Sequence, residues 1–284
     1  MTTVSIAMCT FNGEAFLNQQ LNSLAFQTHK PDEIIICDDA SIDKSVAIAQ
    51  AFAKDSGLNV RIHRNPHNLG YVKNFEQAIG HCTQDLIFLC DQDDIWHPEK
   101  IKQILDVFDA EPEAGLVLHD FCWIDDFNQP YPGPIDTYGP HQLSASQLPD
   151  EIRKHSISVF MQPYPRAWCG CMMAYRRSFN KLVLPIFPGK VHDDWILKLL
   201  APITETRFIA NPLVSYRMHQ QNTNRRDLEK RTLKYLFKRF LLKFNMVTKG
   251  HNKKNFYNSI LRKLSTSNID VLHPHILKFY KKFI

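Results

Sequence analysis

Apolar runs recur along the first half of the chain. Between them lie segments whose apolar positions repeat every three or four residues. The runs predict strands at 4–9, 33–37, 60–63, 86–90 and 115–121. The repeats predict helices at 14–26, where Phe16, Leu17, Leu21 and Leu24 share a face, and at 43–54, 71–81 and 98–110. Alternating units of this length argue for an α/β fold, a parallel sheet with helices on both faces. The rhythm breaks between Asp125 and Pro165, where Pro130, Pro132, Gly133, Pro134, Gly139 and Pro140 predict an irregular loop over a site. Beyond it, a strand is expected at 170–175, a helix at 192–200, and a pair of strands at 207–210 and 213–217.

Composition adds limits. A chain of 284 residues, 44% hydrophobic and 22% charged, can bury a substantial core and reads as one domain with an appendage. The N-terminus lacks the basic and apolar regions of a secretory signal, and no apolar run is long enough to cross a bilayer. Seven cysteines, an odd number without a Cys-x-x-Cys pair, predict free thiols in a reducing compartment and a cytosolic protein. Charge is divided unevenly. Residues 225–284 hold 16 of the 34 lysines and arginines and 3 of the 29 acids, a balance of +13 that leaves −8 on residues 1–224.

The acids are not scattered. Asp91, Asp93 and Asp94 directly follow the apolar run 86–90, so they sit at a strand's C-terminal end, where open α/β sheets bind ligands. Crowded carboxylates repel one another unless a cation neutralises them, and such hard oxygen donors suit Mg²⁺ or Mn²⁺. The alternative is a turn leading into an acidic helix N-terminus at Pro98 and Glu99. Three more loops fall at the same edge. Thr10-Phe11-Asn12-Gly13 is expected to leave backbone N–H groups free for an anion. Asp38 and Asp39 are placed to accept from a base or ribose, with a helix cap through Ser41 as the alternative. Asn68-Leu69-Gly70 is the third.

Taken in order, Thr10-Phe11-Asn12-Gly13, Cys37-Asp38-Asp39-Ala40-Ser41-Ile42-Asp43, Asn68-Leu69-Gly70 and Asp91-Gln92-Asp93-Asp94-Ile95-Trp96 resemble the motifs of family 2 glycosyltransferases over roughly residues 3–220. The resemblance implies an inverting enzyme of GT-A fold, with a Rossmann-like, mostly parallel sheet flanked by helices and a basic helical C-terminal extension. It implies a catalytic domain over 1–224, with a nucleotide-sugar half at about 1–122 and an acceptor half at about 123–224, and a tail at 225–284. Thr10, Asn12, Asp38, Asp39, Asn68, Gly70 and Asp91 would hold the nucleotide sugar, UDP- or dTDP-linked, with Asp43 in support. Asp91-Gln92-Asp93 matches the DxD motif, so Asp93 and Asp91 would ligate Mn²⁺ or Mg²⁺. The form with Asp94 and Trp96 looks like the rhamnosyltransferase-like branch.

His192-Asp193-Asp194-Trp195 resembles the segment that carries the family's general base and selects Asp193. The alternative makes Asp193 a helix cap and Asp194 a first-turn acid. Tyr216-Arg217-Met218-His219 resembles a segment in which His219 approaches the metal, and Arg217 would meet the leaving diphosphate. Trp168, Gly170 and Cys171, with Asp194 and Trp195, would form the acceptor wall.

In 231–244, Leu233, Leu236, Phe237, Phe240, Leu241 and Phe244 make one apolar stripe, with Lys234, Lys238, Arg239 and Lys243 mainly outside it. Such a helix either lies on an anionic membrane surface, bringing the protein to a lipid-linked saccharide on the inner face of the plasma membrane, or packs on the catalytic domain. Nucleic acid is not expected as a partner, because the body is acidic. Three rivals remain in view. A processive synthase would carry membrane spans and a Gln-x-x-Arg-Trp motif. A sugar-1-phosphate nucleotidyltransferase would carry a Gly-rich basic N-terminal signature. A nucleotide-sugar-binding protein without turnover would keep the motifs.

Overall fold

The computed structural model describes residues 2–131 and 169–219. Trp168, the loop from residue 132 onward and the basic tail with its 231–244 stripe lie outside the described residues. The chain divides into two units, residues 1–123 with 142–217 and residues 124–141 with 218–284.

In the first unit the order is β1 (Val4–Thr10), α1 (Leu17–Ala25), β2 (Glu33–Asp38), α2 (Ser45–Asp55), β3 (Val60–Arg64), α3 (Tyr71–His81), β4 (Leu86–Cys90), β5 (Ile95–Trp96), α4 (Lys100–Ala110) and β6 (Ala114–Ile124). After a single 3-10 turn at Gly170–Met172 come β7 (Met173–Arg176), α5 (Asn180–Val183), α6 (His192–Leu200) and β8 (Glu205–Arg217). Among the described residues eight strands form one sheet in the order β3-β2-β1-β4-β7-β6-β8-β5. The first four are parallel, whereas β7 runs against both β4 and β6, so the sheet is mixed.

Every residue of β1, β2 and β4 is buried, which is why they read as unbroken apolar runs. Leu17, Leu21 and Leu24 of α1, Phe75, Ala78 and Ile79 of α3, and Ile101, Ile104, Leu105 and Phe108 of α4 supply the buried helix faces. The loops after β1, β2, β3 and β4 all leave the C-terminal edge of the parallel half. The chain moves outward from β1 through β2 to β3 and then returns to the other side of β1 at β4. That reversal opens the crevice in which α/β sheets place their ligands.

Two sequence expectations change, and one strand was not expected. The strand expected at 170–175 is a 3-10 turn followed by β7. The strand pair at 207–210 and 213–217 is one strand, β8, which runs through Asn211 and Pro212. Pro212 is tolerated because β5 pairs only with Val214 and Ser215, leaving the preceding stretch without a ladder partner on that side. The two-residue β5 lies within the acidic motif itself, too short to show as a pattern.

In the second unit, Asp125 organises a tight turn: its carboxylate accepts from the N–H groups of Phe127 and Gln129, and Asn128 takes a left-handed φ of 64°. Met218 N donates to Ile124 O. His219 belongs to this unit and is buried.

Candidate active site

The loop after β1 was expected to leave backbone N–H groups within 10–13 free for an anion or a nucleotide. The four from Phe11 to Glu14 are all taken. Phe11 N donates to Gln92 Oε1 at 2.8 Å, Asn12 N to Ser41 Oγ at 2.9 Å, Gly13 N to Ser45 Oγ at 2.8 Å and Glu14 N to Asp43 Oδ2 at 2.9 Å. The expectation of free donors at 10–13 is therefore corrected. Side chains of the two neighbouring loops cap this one, and Asn12 returns the contact by accepting from Ile42 N at 3.0 Å.

Asp38 and Asp39 do the same work one loop on. Asp38 is 1% exposed. It accepts from Thr10 Oγ1 at 2.8 Å and from Ser41 N and Oγ at 2.9 and 2.6 Å. Asp39 accepts from Asn65 Nδ2 and Leu69 N at 2.8 Å and from Gly70 N at 2.9 Å. Asn68 Oδ1 also accepts from Gly70 N, and Gly70 holds a φ of 83° that a side chain would resist. Ala40, between Ser41 and Asp39, sits at a φ of 62° without the local hydrogen bond that makes this region easier for Asn or Asp. Both acids thus fix the shape of the edge with carboxylates directed inward. Phe11 is the aromatic that faces out, at 45% exposure.

Gln92, the middle residue of the DxD-like stretch, joins this edge to the acids. Its Oε1 accepts from Phe11 N while its Nε2 donates to Phe11 O at 3.0 Å, so it grips that peptide in both senses. Gly13 is needed for the grip, since a Cβ there would stand 2.2 Å from Gln92 Oε1. Gly13→Ala is expected to break both bonds and lower stability by about 1–3 kcal/mol. In a Gln92→Ala background the same change should cost almost nothing, because the clash and the bonds are already gone. Urea unfolding of the two single variants and the double variant measures this coupling.

The acids beyond β4 are crowded. Asp91 is pushed well above the ordinary carboxylate range by burial and then by Asp94, Asp93 and Asp193. Asp94 is 1% exposed and is raised to about 7 by burial and by Asp93. Its Oδ1 accepts from Arg217 N at 3.1 Å, and its Oδ2 is buried without a hydrogen-bond partner. Asp193 opens α6, accepts from Asp194 N at 2.6 Å and from the Gly170 N–H, and is raised to about 6, mainly by burial. The fold therefore brings Asp91, Asp93, Asp94 and Asp193 within electrostatic reach of one another from β4, its following turn and α6. Excess negative charge and an orphaned buried carboxylate oxygen fit a divalent cation, and the oxygen donors fit Mn²⁺ or Mg²⁺.

Several expected roles give way to others. Arg217 is fully buried: Nε donates to Asp93 O at 2.8 Å, Nη2 to Gln19 Oε1 at 2.9 Å, and the guanidinium covers Phe16 at 4.6 Å. It clamps the acidic turn from inside. Trp195 is a core residue, fully buried, with Nε1 donating to Val183 O and its ring on Phe187. Cys171 is likewise fully buried, and Asp194 pairs with Lys198 one turn along α6. Gly170 is pressed against His192, whose Nε2 would lie 2.8 Å from an added Cβ.

Two buried polar residues escaped the sequence reading. Lys100 is fully buried; its ammonium donates to Cys171 O at 2.6 Å and covers the Trp96 ring at 3.6 Å. Burial pulls it down to about 8, while Asp94 and Asp91 pull it back up. Its signal was present, since position 100 shares the helix face of Ile104 and Phe108. His192 stacks on Phe75 at 3.9 Å, keeps both ring nitrogens unpartnered and is lowered by burial to about 3.

Known proteins agree with this architecture. The chain is 26% identical over 227 residues to an uncharacterized glycosyltransferase of Nostoc sp., covering 78% of this chain and 66% of that protein. It is 34% identical over 103 residues to the dTDP-rhamnosyl transferase RfbG of Shigella flexneri, covering 35% and 36%. The mannosyltransferase PcManGT of Pyrobaculum calidifontis, solved with GDP-Man and Mn²⁺, shares the fold with a TM-score of 0.58 at 15% identity, covering 99% of this chain and 73% of that one. Residues 5–183, more than half of the chain, match the model of Glycosyl transferase family 2, and the chain belongs to that family.

Proposed function

We propose that this protein moves one sugar from a nucleoside-diphosphate donor to a hydroxyl of a saccharide acceptor, inverting the anomeric carbon. The observation that carries the reading is Asp193, a buried carboxyl raised to about 6 and near enough to Asp91 to raise that acid in turn. A base with that value is ionised at neutral pH yet still takes a proton readily.

The acceptor hydroxyl attacks the anomeric carbon and passes its proton to Asp193. The bond from that carbon to the diphosphate oxygen breaks, and the electron pair leaves with the nucleotide. Asp93 and Asp91 would hold Mn²⁺ or Mg²⁺; such an ion supplies positive charge for the departing diphosphate. Arg217 holds the turn that aims these acids. Asp38, Asp39, Asn68 and Gly70 act on the nucleotide through the loops they shape, with Thr10 and Asn12 at their meeting point and the exposed Phe11 ring as a surface for the base.

The name of the Shigella relative favours a dTDP-linked deoxyhexose, and UDP-linked sugars are the other class. A lipid-linked saccharide of a cell-surface polysaccharide suits the apolar stripe and flanking cations of 231–244, which would lie on the anionic inner face of the membrane. No helix among the described residues is long and apolar enough to cross a membrane.

The test is donor hydrolysis and binding across UDP-, dTDP- and GDP-sugars, with Mn²⁺, Mg²⁺ or EDTA. One donor selected in the presence of metal and lost in EDTA is expected. Binding of a donor with no turnover under any metal would leave a binding protein instead.

A further inference from the structure

Next to Asp193 in the chain stands a histidine that stability does not explain. The His192 ring is 4% exposed, yet both of its nitrogens lack a hydrogen-bond partner. An imidazole in that state carries a desolvation cost that an apolar side chain of similar size would avoid. Burial also keeps it neutral, so it brings no charge to Asp193. What the ring does have is packing on three sides. Phe75 stacks on it with centroids 3.9 Å apart, and Tyr71, the first residue of α3, meets it edge-on at 6.1 Å. On the third side is Gly170, where an added Cβ would stand 2.8 Å from His192 Nε2 and 3.4 Å from Leu89 Cδ1.

Gly170 opens the 3-10 turn before β7, and its N–H donates to the Asp193 carboxylate. We propose that His192 is a positioning residue: its flat ring, backed by Phe75, seats Gly170 against Leu89 of β4 and so aims the Gly170 N–H at Asp193. The ring and the carboxylate are consecutive residues at the start of α6. Any shift of that helix therefore moves both together, and the N–H stays on its acceptor. A branched aliphatic chain in place of the ring would give up the stack on Phe75 and the flat edge against Gly170. The residue is kept at a cost in stability because it fixes the direction of the carboxylate. That the carboxylate is a base rests on the proposed function; the seating of Gly170 does not. Asp194 and Asp91, the charges that act with Asp193, remain in place in each His192 variant below.

The Gly170 amide can be read alone. Cys169-Gly170 is the only Cys-Gly pair in the chain, so isotope labels on cysteine carbonyl carbons and glycine nitrogens single it out by NMR. The spectrum is taken on the full chain with neither donor nor metal added. His192→Leu is expected to move the Gly170 amide proton upfield as its bond to Asp193 weakens, and to speed its hydrogen exchange about tenfold or more. Tm should not fall, since two orphaned nitrogens leave with the ring. With a donor that turns over, kcat should drop about 10- to 100-fold while KM for the donor stays the same. In an Asp193→Asn background the same change should cost no further rate. A Gly170 amide with the parent's shift and exchange overturns the proposal, and so does a rate loss that adds in full to that of Asp193→Asn. Should His192→Leu not fold, His192→Phe takes its place, and an unchanged Gly170 amide there overturns the proposal equally. Should the parent show no turnover, the proposed function fails while the amide still decides the role of His192.

Discussion

Replacing Asp193 with Asn is expected to cut donor turnover by about 10²- to 10⁴-fold, with nucleotide affinity almost unchanged. The same variant should be more stable than the parent at pH 7.5. Burial raises the folded carboxyl to about 6, against about 3.9 in an unfolded chain. The folded state thus binds more protons in that window. Stability is greatest below about pH 4 and falls as pH rises towards 6, and above that the full cost of a buried charge is present. Asn carries no charge, so its gain in Tm should be complete at pH 7.5 and vanish below about pH 4. Turnover of the parent should rise through about pH 6 as the base ionises, and the variant should lack that limb. A carboxyl that served only as a first-turn acid of α6 would predict otherwise: Asn there would leave turnover intact. Tm and hydrolysis rate against pH, measured on both proteins, separate the cases.

The parallel half was legible because its strands are buried on both faces and leave unbroken apolar runs, as in 34–37 and 86–90. Where burial is one-sided or the element is short, the pattern carries less. β5 has two residues and no period, and Asn211-Pro212 imitated a turn because both are exposed at a stretch that β5 does not reach. Polar loops were legible as a set, since acids and amides recur after each parallel strand.

The direction in which those polar side chains point was not legible. Asp38, Asp39 and Arg217 belong to motifs suggestive of ligand contact, yet each is turned inward to hold a loop. Residue type at a strand end tells which hydrogen bonds are possible; it does not tell whether backbone or ligand takes them. Trp195 shows the same ambiguity for apolar groups, since an indole suits a sugar face and a core equally, and only its bond to Val183 O decides. Lys100 is the opposite case. A lysine on the apolar face of α4 was an anomaly present in the pattern but passed over in the sequence, and its partner, a carbonyl 71 residues away, required the fold.

Lys100→Met should therefore show the largest loss of stability of any single change at this site. It leaves Cys171 O without its donor and the Trp96 face without its cation, and it removes a positive charge buried near Cys90, Asp91 and Asp94. Breaking a buried charge arrangement from one side costs about 3–5 kcal/mol, a fall in Tm of roughly 10 °C for a chain of this size. Lys102→Met, two positions along the same helix, is the control: Lys102 pairs with Asp106 on the surface and its loss should leave Tm unchanged. Mn²⁺ should then raise the Tm of Lys100→Met more than that of the parent, because a divalent ion replaces part of the missing positive charge. A lysine that merely filled space would give a Met variant near the parent in Tm and no larger response to Mn²⁺. Thermal unfolding of the three proteins with and without Mn²⁺ thus reads whether α4 contributes a charge to this site or only a side chain to the core.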